Sequence, residues 1–162
     1  VLDEDTISYL LDIPKPVSDA AWRSQLLPPT KGEVVRRGRF DLDDLPPTGP
    51  IRGRLHLYSR RSLFRAATGD WSVGLVFADY AGRSYRLLRC NGPHTANHRN
   101  AIERDRIVRS AHVHRLTERY QLLDPPRPDG YAEATDDFDS LESALDYLAA
   151  AINLQPEGRL WL

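Results

Sequence analysis

Between Trp71 and Asn91 the chain has little choice but to fold back on itself. Val73, Leu75 and Phe77 alternate with smaller residues, the return stretch Arg83–Asn91 carries Leu87 and Leu88, and Tyr80-Ala81-Gly82 lies between them. A period of two marks a strand, and Gly82 can take the positive φ that a tight connection needs. This hairpin predicts an antiparallel sheet. Leu87 and Leu88 face opposite sides, which implies burial on both faces near its middle.

Other stretches extend the same pattern. Leu55 and Leu57 share one strand face while Arg54, His56 and Tyr58 share the other. Glu33–Leu42 reads as a strand with Gly38 as a bulge, and Ile107–Leu116 as a further strand. The segment 58–70 holds Arg60, Arg61 and Arg65 around Leu63 and Phe64 and reads as a connection. Leu141, Leu145, Leu148 and Ile152 fall at helical spacing behind a capping-box-like Asp139 and Glu142. Asp5 or Thr6 would cap a first short helix through Leu11. Ser18 would cap a second, Asp19–Leu27, with Trp22 and Leu26 on one face and Pro28-Pro29 as its stop. The expected fold class is α+β: a mostly antiparallel sheet of about five strands, a packed C-terminal helix and short N-terminal helices. DLDDLPPTGP (41–50) marks a boundary between a peripheral extension, 1–50, and an α+β core, 51–162. Trp161 in the EGRLWL tail would dock on that core or mediate a contact.

Composition narrows the setting. No run approaches the roughly 18 apolar residues that cross a bilayer, and no signal-peptide pattern opens the chain, so no membrane role and a cytoplasmic location are expected. The single cysteine, Cys90, rules out an internal disulfide framework and reads as core. The net charge of −1 conceals three blocks. Residues 51–119 carry 14 arginines, no lysine and five acids, whereas residues 120–162 carry two arginines and nine acids. Arg offers a planar fork for phosphate, so the bias favours an anionic partner, nucleic acid or nucleotide. The competing expectation is that the acidic segment folds back and neutralises the basic one.

Chemistry concentrates in Arg89–Tyr120, which holds four of the five histidines: His94, His98, His112 and His114. His112 and His114 are two apart on a predicted strand, so both leave one face roughly 7 Å apart at the backbone. Asn91-Gly92-Pro93 ends the neighbouring strand and presents His94 to the same region. Three imidazoles with Glu118 as base or outer partner could bind a divalent metal such as Zn²⁺ with one open position. Alternatively, histidines near their neutral pKa could act as general base and acid in phosphodiester cleavage. The bland alternative is a set of half-buried sheet histidines satisfied by backbone carbonyls. Asn91, Arg89, Arg115 and Arg119 would contact substrate, and Tyr120 would stack a base. His98 reads as a solvated residue of a flap-like loop, 94–106, and His56 joins only if its strand neighbours that of His112.

The run LLRCNGPHTANHRN, followed by AHVHRLTERYQ and PDGYAE, resembles an uncharacterised family of small bacterial proteins, a domain of unknown function. Its signature is N-G-P-H … H-x-H with a C-terminal helix. The resemblance spans about residues 60 to 153 and implies one shared constellation of Asn91, Gly92, Pro93, His94, His112 and His114. It also implies a setting among mobile elements, phage defence or toxin–antitoxin modules.

The expected function is a small RNA- or nucleotide-directed hydrolase of the toxin-type endoribonuclease kind, with His94, His112, His114 and Glu118 in catalytic roles. The alternative is a non-catalytic nucleic-acid or protein-binding module, in which the acidic segment could engage a basic protein partner.

Overall fold

The computed structural model describes residues 1–17, 21–27, 34–62, 69–94 and 97–156. The expectations for Ser18, Pro28-Pro29, Leu63 to Arg65 and Trp161 fall outside these residues.

Six strands build one antiparallel sheet. They are β2 (Val35–Asp44), β3 (Gly53–Ser62), β4 (Trp71–Asp79), β5 (Ser84–Asn91), β8 (His112–Arg115) and β9 (Ala132–Ala134), side by side in that order. The expected hairpin is β4–β5, and Gly82 takes φ +84° in its turn. The register shifts at Leu87, which becomes an extra residue in the strand, so Leu87 and Leu88 are both fully buried. Two smaller pairings complete the strands: β1 (Lys15–Val17) runs parallel to β10 (Leu154–Pro156), and β6 (His98–Arg99) pairs with β7 (Arg106–Ile107).

One face of the sheet is apolar because alternate positions are. Leu55, Leu57, Val73, Leu75, Phe77, Leu88, Cys90 and Val113 lie on it. Against β4 and β5 packs α4 (Leu141–Ala151), through Leu141, Ala144, Leu145, Leu148 and then Ile152. Burial pushes the Cys90 thiol up to about 12, as suits a core residue. The cap of α4 is Ser140, one residue later than expected, because Ser140 and Ser143 hydroxyls each bond the other's backbone N–H. Ser140→Ala should therefore cost about 1 kcal/mol of unfolding free energy, read from urea denaturation. The helix stops at Asn153, which adopts φ +54° and donates its amide to the Asp12 carbonyl.

The expected division at residue 50 does not separate anything in this fold. β2 runs into the 41–50 stretch as far as Asp44 and pairs with β3 beyond it. Leu2, Ile7 and Leu10 of α1 (Glu4–Asp12, capped by Asp3) and Trp22 and Leu26 of α2 (Ala21–Leu26) belong to the same core as the strands. Gly38 is no bulge; it pairs with Ser59, and a Cβ there would lie 2.4 Å from the Gln25 carbonyl of α2. Lys15 is buried with its ammonium on the carbonyls of Leu11, Ile13 and Ile152, which ties α1 to the end of α4.

The strand expected over Ile107–Leu116 is broken. Arg109 sits at φ +48°, a left-handed conformation incompatible with an extended chain, so β7 ends before it and β8 begins after it. The loop expected to be a flap is instead a β6–β7 arm clamped at several points. The Asn100 side chain donates to the Ala132 carbonyl and accepts from the Ala132 N–H. Ile102 N–H donates to the Tyr120 hydroxyl, which in turn donates to Glu103. Among the described residues no helix is long and apolar enough to cross a membrane.

Candidate active site

The second face of the sheet carries polar side chains, and its rows can be read from the register. One row runs Tyr58, Gly74, Arg89, His114, Ala132, and the next runs Ser72, Asn91, His112, Ala134. Gly92 donates its N–H to Trp71 and accepts from His94 N–H, which turns the chain so that His94 comes back over the sheet. A side chain at Gly92 would place its Cβ 2.0 Å from the Gly69 carbonyl, so only glycine makes this turn. The β6–β7 arm then lowers His98 onto the same patch.

Four imidazoles thus pack together. Ring centroids are 5.0 Å apart for His94 and His112, 5.0 Å for His112 and His114, 4.7 Å for His98 and His114, and 6.1 Å for His98 and His112. His112 and His114 are buried; His94 and His98 are half-buried.

The partners fix the tautomers. Carbonyl oxygens only accept, so His112 Nδ1–H donates to Ser110 and His114 Nδ1–H donates to Asp129, each at 2.9 Å. His112 Nε2 is then a lone pair, and the Asn91 amide nitrogen lies 3.3 Å from it. His98 Nε2–H donates to Asn100 Oδ1 and the Gly130 carbonyl, both at 3.0 Å. That leaves His114 Nε2 and His98 Nδ1 as bare acceptors. The His94 ring makes no hydrogen bond within the described residues.

The electrostatics keep the buried pair uncharged. Burial, with Arg89, His94 and His98 nearby, lowers His112 to about 4, and burial with Arg89, His112 and His98 lowers His114 to about 2. Arg89 itself is poorly matched: its Nη1 stands 3.9 Å from Asp129, and its buried Nε–H has no acceptor. Tyr58 lies over Gly74, where a Cβ would come within 2.8 Å of its ring, and its buried hydroxyl also lacks a partner. Burial raises that phenol to about 12, so it remains a donor.

No family model matches the chain. Neither does a curated protein or a solved structure.

Of the residues expected from the sequence, His94, His112, His114, Arg89 and Asn91 come together. The others do not. Arg115 follows His114 on a strand and so faces the opposite side, where it meets Tyr147 at 3.2 Å and Glu133 at 4.0 Å. Tyr120 is fully buried with its hydroxyl occupied, so it cannot stack a base. Arg119 pairs with Glu103 and lies over the Tyr120 and Tyr131 rings. Glu118 opens α3 (Glu118–Gln121), its N–H bonded to Glu4, and among the described residues it makes no hydrogen bond or ion pair with a histidine. His56 is two strands removed from β8, because β4 and β5 intervene. The metal expectation for His94, His112 and His114 also finds no support. Among the described residues, no three His, Cys, Asp or Glu side chains are grouped to hold an ion.

The sequence reading missed His98, Asn100, Asp129 and Tyr58. Only Tyr58 had left a signal, since its alternation with His56 already placed it on the polar face.

Proposed function

We propose that the protein is a small RNA- or nucleotide-directed hydrolase of the toxin-type endoribonuclease kind, working in the cytoplasm by histidine acid–base chemistry. The observation that carries this reading is the arrangement of His94 and His114 on either side of His112, each 5.0 Å away, beside an Arg89 whose Nε–H is unpaired. A phosphate placed there would meet a guanidinium and a row of imidazoles. Its negative charge would raise the proton affinity of His112 and His114, which burial lowers.

On RNA the reaction is a transfer of the phosphoryl group to the neighbouring 2′-oxygen. His114 Nε2 takes the proton of the 2′-hydroxyl as its oxygen bonds to phosphorus, and the bond from phosphorus to the 5′-oxygen breaks. His94, in its protonated form, delivers a proton to that leaving oxygen. The products are a 2′,3′-cyclic phosphate and a free 5′-hydroxyl. Arg89 holds a non-bridging oxygen through its unpaired Nε–H, and the Nδ1–H bonds to Ser110 and Asp129 keep the His112 and His114 rings in one orientation.

Loss of either transfer group should lower the cleavage rate by about 10²–10⁴. His114→Ala and His94→Ala should each show this on a fluorescent RNA oligonucleotide, with the far-ultraviolet circular dichroism of the wild type. A chain whose cleavage is indifferent to both changes, or a wild type that leaves RNA intact, would overturn the proposal. In that event the chain would act as a nucleic-acid-binding module with structural histidines, a reading that the arginine-rich arm favours.

A further inference from the structure

The β6–β7 arm displays charge that the other described residues leave unanswered. Within its two-residue strands His98 lies opposite Ile107 and Arg99 lies opposite Arg106. His98 and Ile107 turn inward, while Arg99 and Arg106 are exposed. Two cations facing each other across a ribbon repel. Arg104 and Arg109, at the turn and just beyond β7, are exposed as well. Among the described residues none of these four makes an ion pair, whereas Arg54, Arg60, Arg61, Arg83, Arg86, Arg115 and Arg119 all do. The arm's own acids do not offset them. Glu103 is committed to Arg119 and Tyr120, which leaves Asp105 alone among four arginines.

The arm is also held still. Asn100 fixes its base to β9, Tyr120 fixes its turn, and His98 rests on His112 and His114. A charged ribbon fixed in this way loses little freedom on binding. Arg104 and Arg109 occupy left-handed conformations, φ +64° and +48°, which disfavour any residue with a Cβ. Ile102 and Val108 stand exposed beside the arginines, 39% and 54% accessible, and give the same surface an apolar component.

We propose that the outer face of this arm, through Arg99, Arg104, Arg106 and Arg109, is the docking surface for the sugar–phosphate backbone of single-stranded RNA flanking the reacting phosphate. Guanidinium forks match phosphate oxygens, and Ile102 and Val108 offer contacts to sugars and base faces. The proposed RNA-directed chemistry, with apolar Ile102 and Val108 beside the guanidinium groups, selects RNA over an acidic peptide. His98 and Arg99 leave opposite faces of β6, so the bound strand passes around the edge of the arm to reach the histidine row. The inference rests on the hydrolase reading for its substrate but uses arginines that take no part in the chemistry.

The test is fluorescence anisotropy of the intact protein with a labelled 2′-O-methyl RNA 12-mer, which lacks the attacking hydroxyl, across a salt series. The double variant Arg99→Ala/Arg106→Ala removes a repelling pair from the surface and should fold at least as stably as wild type. It should bind at least tenfold more weakly, and the slope of log K against log salt should shrink by about 1.4, two single-strand phosphate contacts' worth. Unchanged affinity and slope would overturn the proposal, as would a poly-glutamate peptide that binds the arm as tightly as the RNA. The two readings separate cleanly. If His114→Ala still binds the 12-mer but no longer cuts RNA, both stand; if the arm variant binds normally while His114→Ala loses cleavage, only the docking surface is lost. An arm variant that binds weakly while His114→Ala cleaves normally leaves docking in place and removes the acid–base assignment.

Discussion

Taking the protein from pH 6.5 down to about pH 4.5 is expected to remove on the order of 3–5 kcal/mol of unfolding free energy. In the unfolded chain both His112 and His114 bind a proton near their ordinary 6.5; in the folded chain His112 resists to about 4 and His114 to about 2. The unfolded state therefore holds more protons across the whole window, and stability falls as pH falls. Above 6.5 both rings are neutral in either state and the dependence vanishes. Charged and titratable groups around the pair point the same way, since Arg89, His94 and His98 each disfavour a proton on their neighbours. Asp3, Asp79 and Glu103 are lowered from ordinary carboxylate values, so the stability they contribute starts to be lost only at the acid edge of the window and below it. Urea unfolding at half-unit pH steps measures the slope. His112→Gln/His114→Gln should flatten it, and an equally steep double variant would show that these rings are not its source.

The second large effect should come from Asn100→Ala. Asn100 is only 2% exposed and stands in for a strand residue, giving one bond to the Ala132 carbonyl and taking one from its N–H. Truncation leaves both backbone groups buried without partners and deprives His98 of one of its two acceptors. A loss of about 2–4 kcal/mol follows from stranding such groups. It should come with faster amide exchange over residues 98–107 while β4 and β5 remain protected. A loss below about 0.5 kcal/mol, within the range of an ordinary surface change, would mean that the arm does not depend on this clamp.

Alternation and helical spacing made much of the fold legible. The β4–β5 hairpin, the α4 stripe and the α+β class follow from residues whose burial is set locally, and the sheet gained one strand over the expected five because β9 joins it beside β8. The histidine pair was legible for the same reason: positions 112 and 114 of a strand must share a face. That rule also disposes of Arg115, which cannot face substrate if His114 does, so proximity in sequence was the wrong guide. Tyr120 and Asn100 were hidden for a different reason. Their roles depend on partners 17 or more positions away, Glu103 and Ala132, which no local pattern encodes. Arg109 broke an apparently continuous strand because a single left-handed residue leaves no trace in hydrophobic periodicity. The acidic segment does meet the basic one, through Asp129, Glu133 and Glu142, yet the arm escapes that neutralisation.

The parallel pairing of β1 with β10 has a consequence for biosynthesis. Lys15 sits beside Leu154, and the Lys15 ammonium reaches the Ile152 carbonyl, so this seam joins residues more than 130 positions apart. A nascent chain emerging from the ribosome can form the β4–β5 hairpin early, from neighbours in sequence. The seam must wait until residue 156 has been translated and has left the exit tunnel, and until then the Lys15 ammonium lacks its Ile152 acceptor. Such late closure leaves apolar residues of α1 exposed during synthesis, an interval in which a chaperone would find Ile7 and Leu10 uncovered.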